Sequence, residues 1–272
     1  MLIPYKNIHL NYEILNSNPL APYIFLLHGF TGSSNDWIEP SKYFLRNYNI
    51  IAFDVVGHGK SSSPDDVNLY TQEEIVEQLK AIIQFFTQDK VILLGYSMGG
   101  RIALSFAVRY PDMLQGLILE STSAGLLNED ERKSRYESDL KLTEYINSHS
   151  MNEFINYWVN IPLFTSQKKL NLSESISDKK NNNKIGLINS LKGFSTGRMN
   201  PLHKHLHKIT FPTLLITGEL DTKFTTLNKD LNKNIITSTH IIIDDAGHNI
   251  HLERLQEFAQ TINNFLIKHF PA

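Results

Sequence analysis

The run 90-KVILLGYSMGGRIALSFAVRY-110 restricts the possible folds more than any other part of the chain. A short apolar segment rich in β-branched residues passes without a linker into Gly95-Tyr96-Ser97-Met98-Gly99. A helical pattern follows at once, and Pro111 closes it. Strand, serine-bearing turn and helix in direct succession require a turn too tight for a Cβ on either side of the serine, which is where the glycines stand. Such a turn raises the Ser97 hydroxyl above the carboxyl edge of a sheet, the edge at which open α/β folds bind ligands.

The rest of the chain repeats the rhythm. Apolar runs recur at 23-YIFLL-27, 49-NIIAF-53, 90-KVILL-94, 115-QGLILE-120, 213-TLLIT-217 and 240-HIIID-244. Near-continuous hydrophobicity suits strands buried on both faces of a parallel sheet. Helical patterns at 72–86, 99–110 and 255–270 alternate with them, implying right-handed crossovers. The opening 8-IHLNYEIL-15 alternates and predicts an antiparallel edge hairpin or strand.

The rhythm breaks between about Ser123 and His207, where only helical pieces appear, chiefly 129–146 and 152–160. The polar stretch 173-SESISDKKNNNK-184 reads as a mobile loop. The expected organisation is an α/β core of residues 1–122 and 208–272 with a helical cap inserted at 123–207. A length of 272 residues suits it.

A net charge of −2 lacks the basic surplus of a general nucleic-acid binder, yet leaves room for a few local arginines serving a small anion. The chain has no cysteine, which excludes disulfides, zinc–thiolate sites and cysteine nucleophiles. No cofactor or metal motif is found. The amino terminus has no signal-peptide pattern, and no apolar run approaches the roughly 20 residues of a membrane span. A cytoplasmic protein without nucleic-acid or membrane partners is expected.

Two partners for Ser97 appear in the chain order serine, acid, histidine. Asp221 follows the run 213–217 and His248 follows 240–244, so both fall at the sheet edge that carries Ser97. A histidine there takes the serine proton, and an aspartate fixes its tautomer. Asp244 and Asp245 are rival acids but precede His248 too closely to lie under it. The segment 28-HGFTGSSNDW-37 offers the Phe30 amide beside that of Met98 as a pair of donors for an oxyanion. His28 reads as structural, bonding loop backbone. In 54-DVVGHGKSS-62, Asp54 with Ser61 or Ser62 would bond local backbone while Gly57 and Gly59 supply turn freedom.

Together HGF at 28–30, DVVGHGKS at 54–61, GYSMGG at 95–100, GELD at 218–221 and AGH at 246–248 resemble the α/β-hydrolase superfamily. The resemblance implies a mostly parallel eight-stranded sheet with an inserted helical cap, a scaffold shared by many chemistries. A haloalkane dehalogenase is excluded, since its nucleophile position would be an aspartate.

Arg101 narrows the field. It lies on an otherwise apolar helix, and a buried guanidinium needs an anionic partner, either an acidic side chain or a substrate carboxylate. With GYSMGGR, 117-LILESTSAGL-126, the 131–139 run containing Arg132 and Arg135, and the W-x-x-x-PLF-x-S segment from Trp158, the chain resembles the 2-succinyl-6-hydroxy-2,4-cyclohexadiene-1-carboxylate synthases of menaquinone biosynthesis. That resemblance implies a carbon–oxygen lyase. It would eliminate pyruvate from 2-succinyl-5-enolpyruvyl-6-hydroxy-3-cyclohexene-1-carboxylate, with Ser97 as general base.

Arg101 and Arg135 would then bind substrate carboxylates, with Tyr96 and Trp158 lining the pocket. The family's further cap arginine is missing, and Lys179 or Lys180 would have to replace it. The implied partners are a small polycarboxylate and, transiently, neighbouring enzymes of the pathway. The alternatives are a carboxylesterase or carbon–carbon bond hydrolase using Ser97 as nucleophile, and a ligand receptor that keeps the hydrolase shape.

Overall fold

The computed structural model describes residues 1–170 and 172–271. A hairpin of β1 (Leu2–Tyr5) and β2 (Ile8–Asn16) leads into β3 (Tyr23–Leu27), β4 (Asn49–Phe53), β5 (Val91–Tyr96) and β6 (Leu114–Glu120). β7 (Thr213–Gly218) and β8 (Ser238–Ile243) complete one sheet in the order β1-β2-β4-β3-β5-β6-β7-β8. β2 pairs antiparallel with β1 and with β4, and all later pairings are parallel. Between strands lie α1 (Ile38–Ser41), α2 (Gln72–Phe86) and α3 (Met98–Arg109). The segment between β6 and β7 carries α4 (Glu129–Ser148), α5 (Met151–Trp158), a 3-10 stretch Pro162–Lys169, α6 (Ser173–Lys180) and α7 (Lys184–Phe194). After β7 come α8 (Thr222–Asn234), α9 (Ile250–Glu253) and α10 (Leu255–His269).

The continuous apolar runs are explained by helices on both faces. Phe25 and Leu27 of β3 join the core under α2 and α3, with Leu79, Ile82, Ile102 and Phe106. Ile24 and Leu26, pointing the other way, join Phe258 and Ile262 of α10. Fully burying one such side chain contributes about 1.5–3 kcal/mol, so a run that loses its apolar character on either face loses a core. β8 departs from the expectation of two buried faces. It is an edge strand, and Ile241 and Ile242 remain 36% and 38% exposed because only β7 pairs with it.

The inserted helices have a small core of their own, built on Ile146, Phe154, Ile155 and Leu187, which Phe30 and Trp158 border. The mobile loop expected at 173–184 is instead the helix α6 followed by a short turn. Its polar residues take partners on the core rather than water. Asn35 Nδ2 donates to Asp178 Oδ2 at 3.0 Å, and Asn182 Nδ2 donates to the Thr31 carbonyl at 2.8 Å. The Gly59 N–H donates to Asn182 Oδ1 at 2.9 Å. The segment 54–62 behaves as read: Asp54 accepts from the Ser34 and Lys60 amides, and Ser61 Oγ donates to the Asp54 carbonyl. Gly57 and Gly59 take positive φ. Among the described residues no helix is long and apolar enough to cross a membrane.

Strand β5 passes into α3 with almost no clearance. A Cβ on Gly99 would run into the carbonyl oxygens of Leu27 and His28, and one on Gly95 into the carbonyl of Gly99. Backbone atoms cannot rotate aside. Gly99→Ala is therefore expected to lower unfolding free energy by about 1–3 kcal/mol, the usual penalty of overpacking, measured by urea denaturation.

Candidate active site

Ser97 stands at the junction of β5 and α3 with φ +50° and ψ −104°, a conformation that costs a non-glycine residue energy. Three hydrogen bonds hold it there. The Ser97 N–H donates to the Glu120 carbonyl at 2.9 Å. The Ser97 carbonyl accepts from the Arg101 N–H at 3.1 Å and from Thr122 Oγ1 at 2.9 Å. The turn is thereby tied to the end of β6.

Ser97 Oγ lies 2.9 Å from His248 Nε2, and His248 Nδ1 lies 2.7 Å from Asp221 Oδ2. An ionised carboxylate only accepts, so Nδ1 carries the proton and Nε2 is free to receive the serine's. Asp221 follows β7 and His248 follows β8, so three parallel strands deliver the three groups to one edge. Asp245 is not the acid: it faces solvent and pairs with Arg254 at 3.1 Å.

Phe30 and Met98 both line the cavity above Ser97. Met98 is the first residue of α3, so its N–H has no acceptor within the helix and lies at the positive end of the helix dipole. His28 shapes the loop that carries Phe30: Nε2 accepts from the Val55 N–H at 3.0 Å and Nδ1 donates to the Gly29 carbonyl at 2.7 Å. Burial pushes its pKa below the ordinary histidine value, which keeps it neutral and structural.

The cavity measures about 340 Å³, enough for a substituted six-membered ring. Trp158 meets the Phe30 ring edge-on at 5.2 Å and Phe164 at 5.9 Å, forming an aromatic wall. Tyr96 lines the floor with its ring 5.4 Å from that of His248. Arg101 and Arg135 both reach this space. Arg132 is not among the lining residues; its Nη2 approaches the Met199 carbonyl.

The guanidinium of Arg101 has no carboxylate within 4 Å among the described residues. It donates to the Phe194 carbonyl at 2.9 Å and lies over the Phe194 ring at 4.6 Å. Burial, and then the charge of Arg135, push its pKa down to about 9, so it is still cationic at neutral pH. Arg135 is partly compensated, since its Nε donates to both oxygens of Asp139 at 3.0 Å. Asp139 also accepts from Ser195 Oγ at 2.6 Å. The acidic partner that Arg101 requires is therefore not supplied by the protein within ion-pair distance.

The family described as alpha/beta hydrolase fold matches residues 22–255. A Bacillus subtilis (strain 168) protein, named provisionally as a 2-succinyl-6-hydroxy-2,4-cyclohexadiene-1-carboxylate synthase, is 39% identical to this chain. The match covers 94% of both. The chain belongs to this synthase family. The synthase of that name from Enterobacter sp. (strain 638) is 29% identical over 96% of this chain and 99% of its own. The solved structure of MenH from S. aureus superposes with a TM-score of 0.90 at 30% identity, covering 95% of this chain and 98% of that one.

Within this synthase-family chain, Lys179 and Lys180 do not replace a pocket arginine. Neither lines the cavity, and Lys179 Nζ pairs with Asp36 Oδ1 at 3.4 Å, both side chains at most 15% exposed. Burial alone would raise the Asp36 carboxyl. The charge of Lys179 foremost, with the Ser33 amide, outweighs it and holds its pKa below the ordinary value. The stabilisation is complete above the usual carboxylate range and is lost as pH falls through that lower value. Sequence reasoning also passed over Asp139, Phe164, Lys223 and Phe224, which line the same cavity. The only available signal was position: Lys223 and Phe224 lie two and three residues after Asp221, at the start of a helix.

Lys179→Ala leaves the Asp36 carboxylate buried and unpaired. It is expected to reduce unfolding free energy by about 3 kcal/mol, the scale of breaking a buried pair. The KM of the folded variant should stay within about threefold of the unmodified enzyme, as read by steady-state kinetics.

Proposed function

We propose that this chain, as a member of its family, is a carbon–oxygen lyase. It eliminates pyruvate from 2-succinyl-5-enolpyruvyl-6-hydroxy-3-cyclohexene-1-carboxylate, with Ser97 as general base. In this reading residues 1–122 and 208–272 form the catalytic core and 123–207 the cap. The observation that carries it is the partly buried Arg101 guanidinium, with no carboxylate in ion-pair distance among the described residues, sharing one cavity with Ser97. A site made for neutral esters has no use for that charge, whereas a polycarboxylate supplies its missing partner.

The proton leaves from C2, the ring carbon bearing the succinyl ketone. Ser97 Oγ takes it while passing its own proton to His248 Nε2, whose imidazolium Asp221 stabilises. The electron pair forms C2=C3, the C3=C4 pair shifts to C4=C5, and the C5–O bond breaks. Enolpyruvate leaves, accepts the proton held on His248 and tautomerises to pyruvate. During deprotonation charge spreads onto the succinyl ketone oxygen, which the Phe30 and Met98 amides receive. Arg101 and Arg135 hold carboxylates and so fix which proton faces Ser97, while Tyr96 and Trp158 close the ring in from floor and wall.

Ser97→Ala is expected to abolish pyruvate release above the spontaneous rate, followed by a coupled pyruvate assay, while the variant still binds substrate. Arg101→Met separates function from stability. Losing the charge should cost about 2–5 kcal/mol in kcat/KM. Removing an unpaired, partly buried cation offsets the lost bond to the Phe194 carbonyl, so unfolding free energy should stay within about 1 kcal/mol of the original. Unchanged kinetics with a large loss of stability would show the arginine to be a packing element.

A further inference from the structure

We infer that Lys223 anchors the carboxylate of the enolpyruvyl group, the part of the substrate that departs. The inference rests on the function proposed above and assigns the third carboxylate, which the arginines leave unaccounted for.

The substrate carries three carboxylates, and the cavity is lined by three cationic side chains: Arg101, Arg135 and Lys223. The two arginines form one cluster, from the first turn of α3 and from α4, close enough for the charge of Arg135 to act on Arg101. Asp139 lies within that cluster and takes Arg135 Nε on both oxygens. The cluster's net charge therefore falls well short of what three carboxylates need.

Ring geometry separates the anchors further. The C1 carboxylate and the succinyl arm on C2 occupy adjacent corners of the ring, whereas the enolpyruvyl group on C5 lies across from C2. Anchors for the first two cannot serve the third from the same side.

Lys223 stands on a different element, in the first turn of α8, two residues after Asp221. Its Nζ lies 5.7 Å from the Phe224 ring, and that ring lies 4.5 Å from the His248 ring. Lys223 thus lines the same cavity as the triad histidine, from an element other than α3 and α4. Lys223, Leu163 and His248 also border a second cleft of about 350 Å³, so the lysine stands where the two spaces meet.

Local structure gives Lys223 no reason to be a lysine. A cation in the first turn opposes the helix dipole, and α8 has no acidic residue in that turn. Among the described residues no carboxylate lies within 4 Å of its ammonium. The side chain is exposed, which fits a group that must release its ligand each turnover.

The experiment compares substrate with the cyclohexadiene product, which lacks the enolpyruvyl carboxylate. Lys223→Gln is expected to raise KM for the substrate about tenfold while leaving product inhibition within twofold and the melting temperature unchanged. Lys223→Arg should restore KM to within about threefold. An unaltered KM in Lys223→Gln, or an equal weakening of substrate and product, would overturn the inference alone. Failure of the unmodified enzyme to release pyruvate would overturn the proposed function and this inference with it.

Discussion

Everything in the site depends on a single backbone constraint, the left-handed turn at Ser97 compressed between β5 and α3. The strand can enter the helix at that angle only because Gly95 and Gly99 let carbonyl oxygens approach where a Cβ would stand. The strain is balanced by hydrogen bonds to the end of β6 and by the packing of α3 against both β3 and β5. Similar strain recurs along the same edge: Thr31, Ser121 and Asp245 also take positive φ, each beyond the carboxyl end of a parallel strand. The sheet supplies the rigidity, and the loops at this edge hold the conformations that chemistry needs.

The second determinant is electrostatic and comes from the inserted helices. The triad by itself is indifferent between attacking a carbonyl and removing a proton. What biases it is the environment above the serine: a partly buried Arg101 capped by a carbonyl rather than a carboxylate, Arg135 shared with Asp139, and an aromatic wall at Trp158. The inserted segment is in turn fixed to the core by polar contacts, Lys179 to Asp36 and Asn182 to Thr31 and Gly59. Two of those contacts meet the loop that carries Phe30, so the insertion also steadies one wall of the cavity above Ser97.

Much of this was legible in the sequence. Buried parallel strands show as continuous apolar runs, and the order Ser97, Asp221, His248 at the ends of three such runs specified the triad geometry. The less legible parts share one cause, polar residues whose partners are distant in sequence. The segment 173–184 reads as solvated because its Asp178, Lys179 and Asn182 look unpartnered, yet their partners lie at Asn35, Asp36 and Thr31, about 150 residues earlier. Helix α8 buries Thr225, Asn228 and Leu231, a mostly polar face that gives no apolar stripe. The exposed isoleucines of β8 read like core because composition cannot distinguish an edge strand from a central one.

The central claim is that Ser97 removes a proton and never bonds to substrate. It is tested most directly by following substrate deuterated at C2 under single turnover while quenched enzyme is weighed by mass spectrometry. The account predicts a primary isotope effect on pyruvate release and an enzyme mass unchanged throughout. A covalent adduct on Ser97 that forms and decays at the rate of turnover, with no isotope effect, would contradict it.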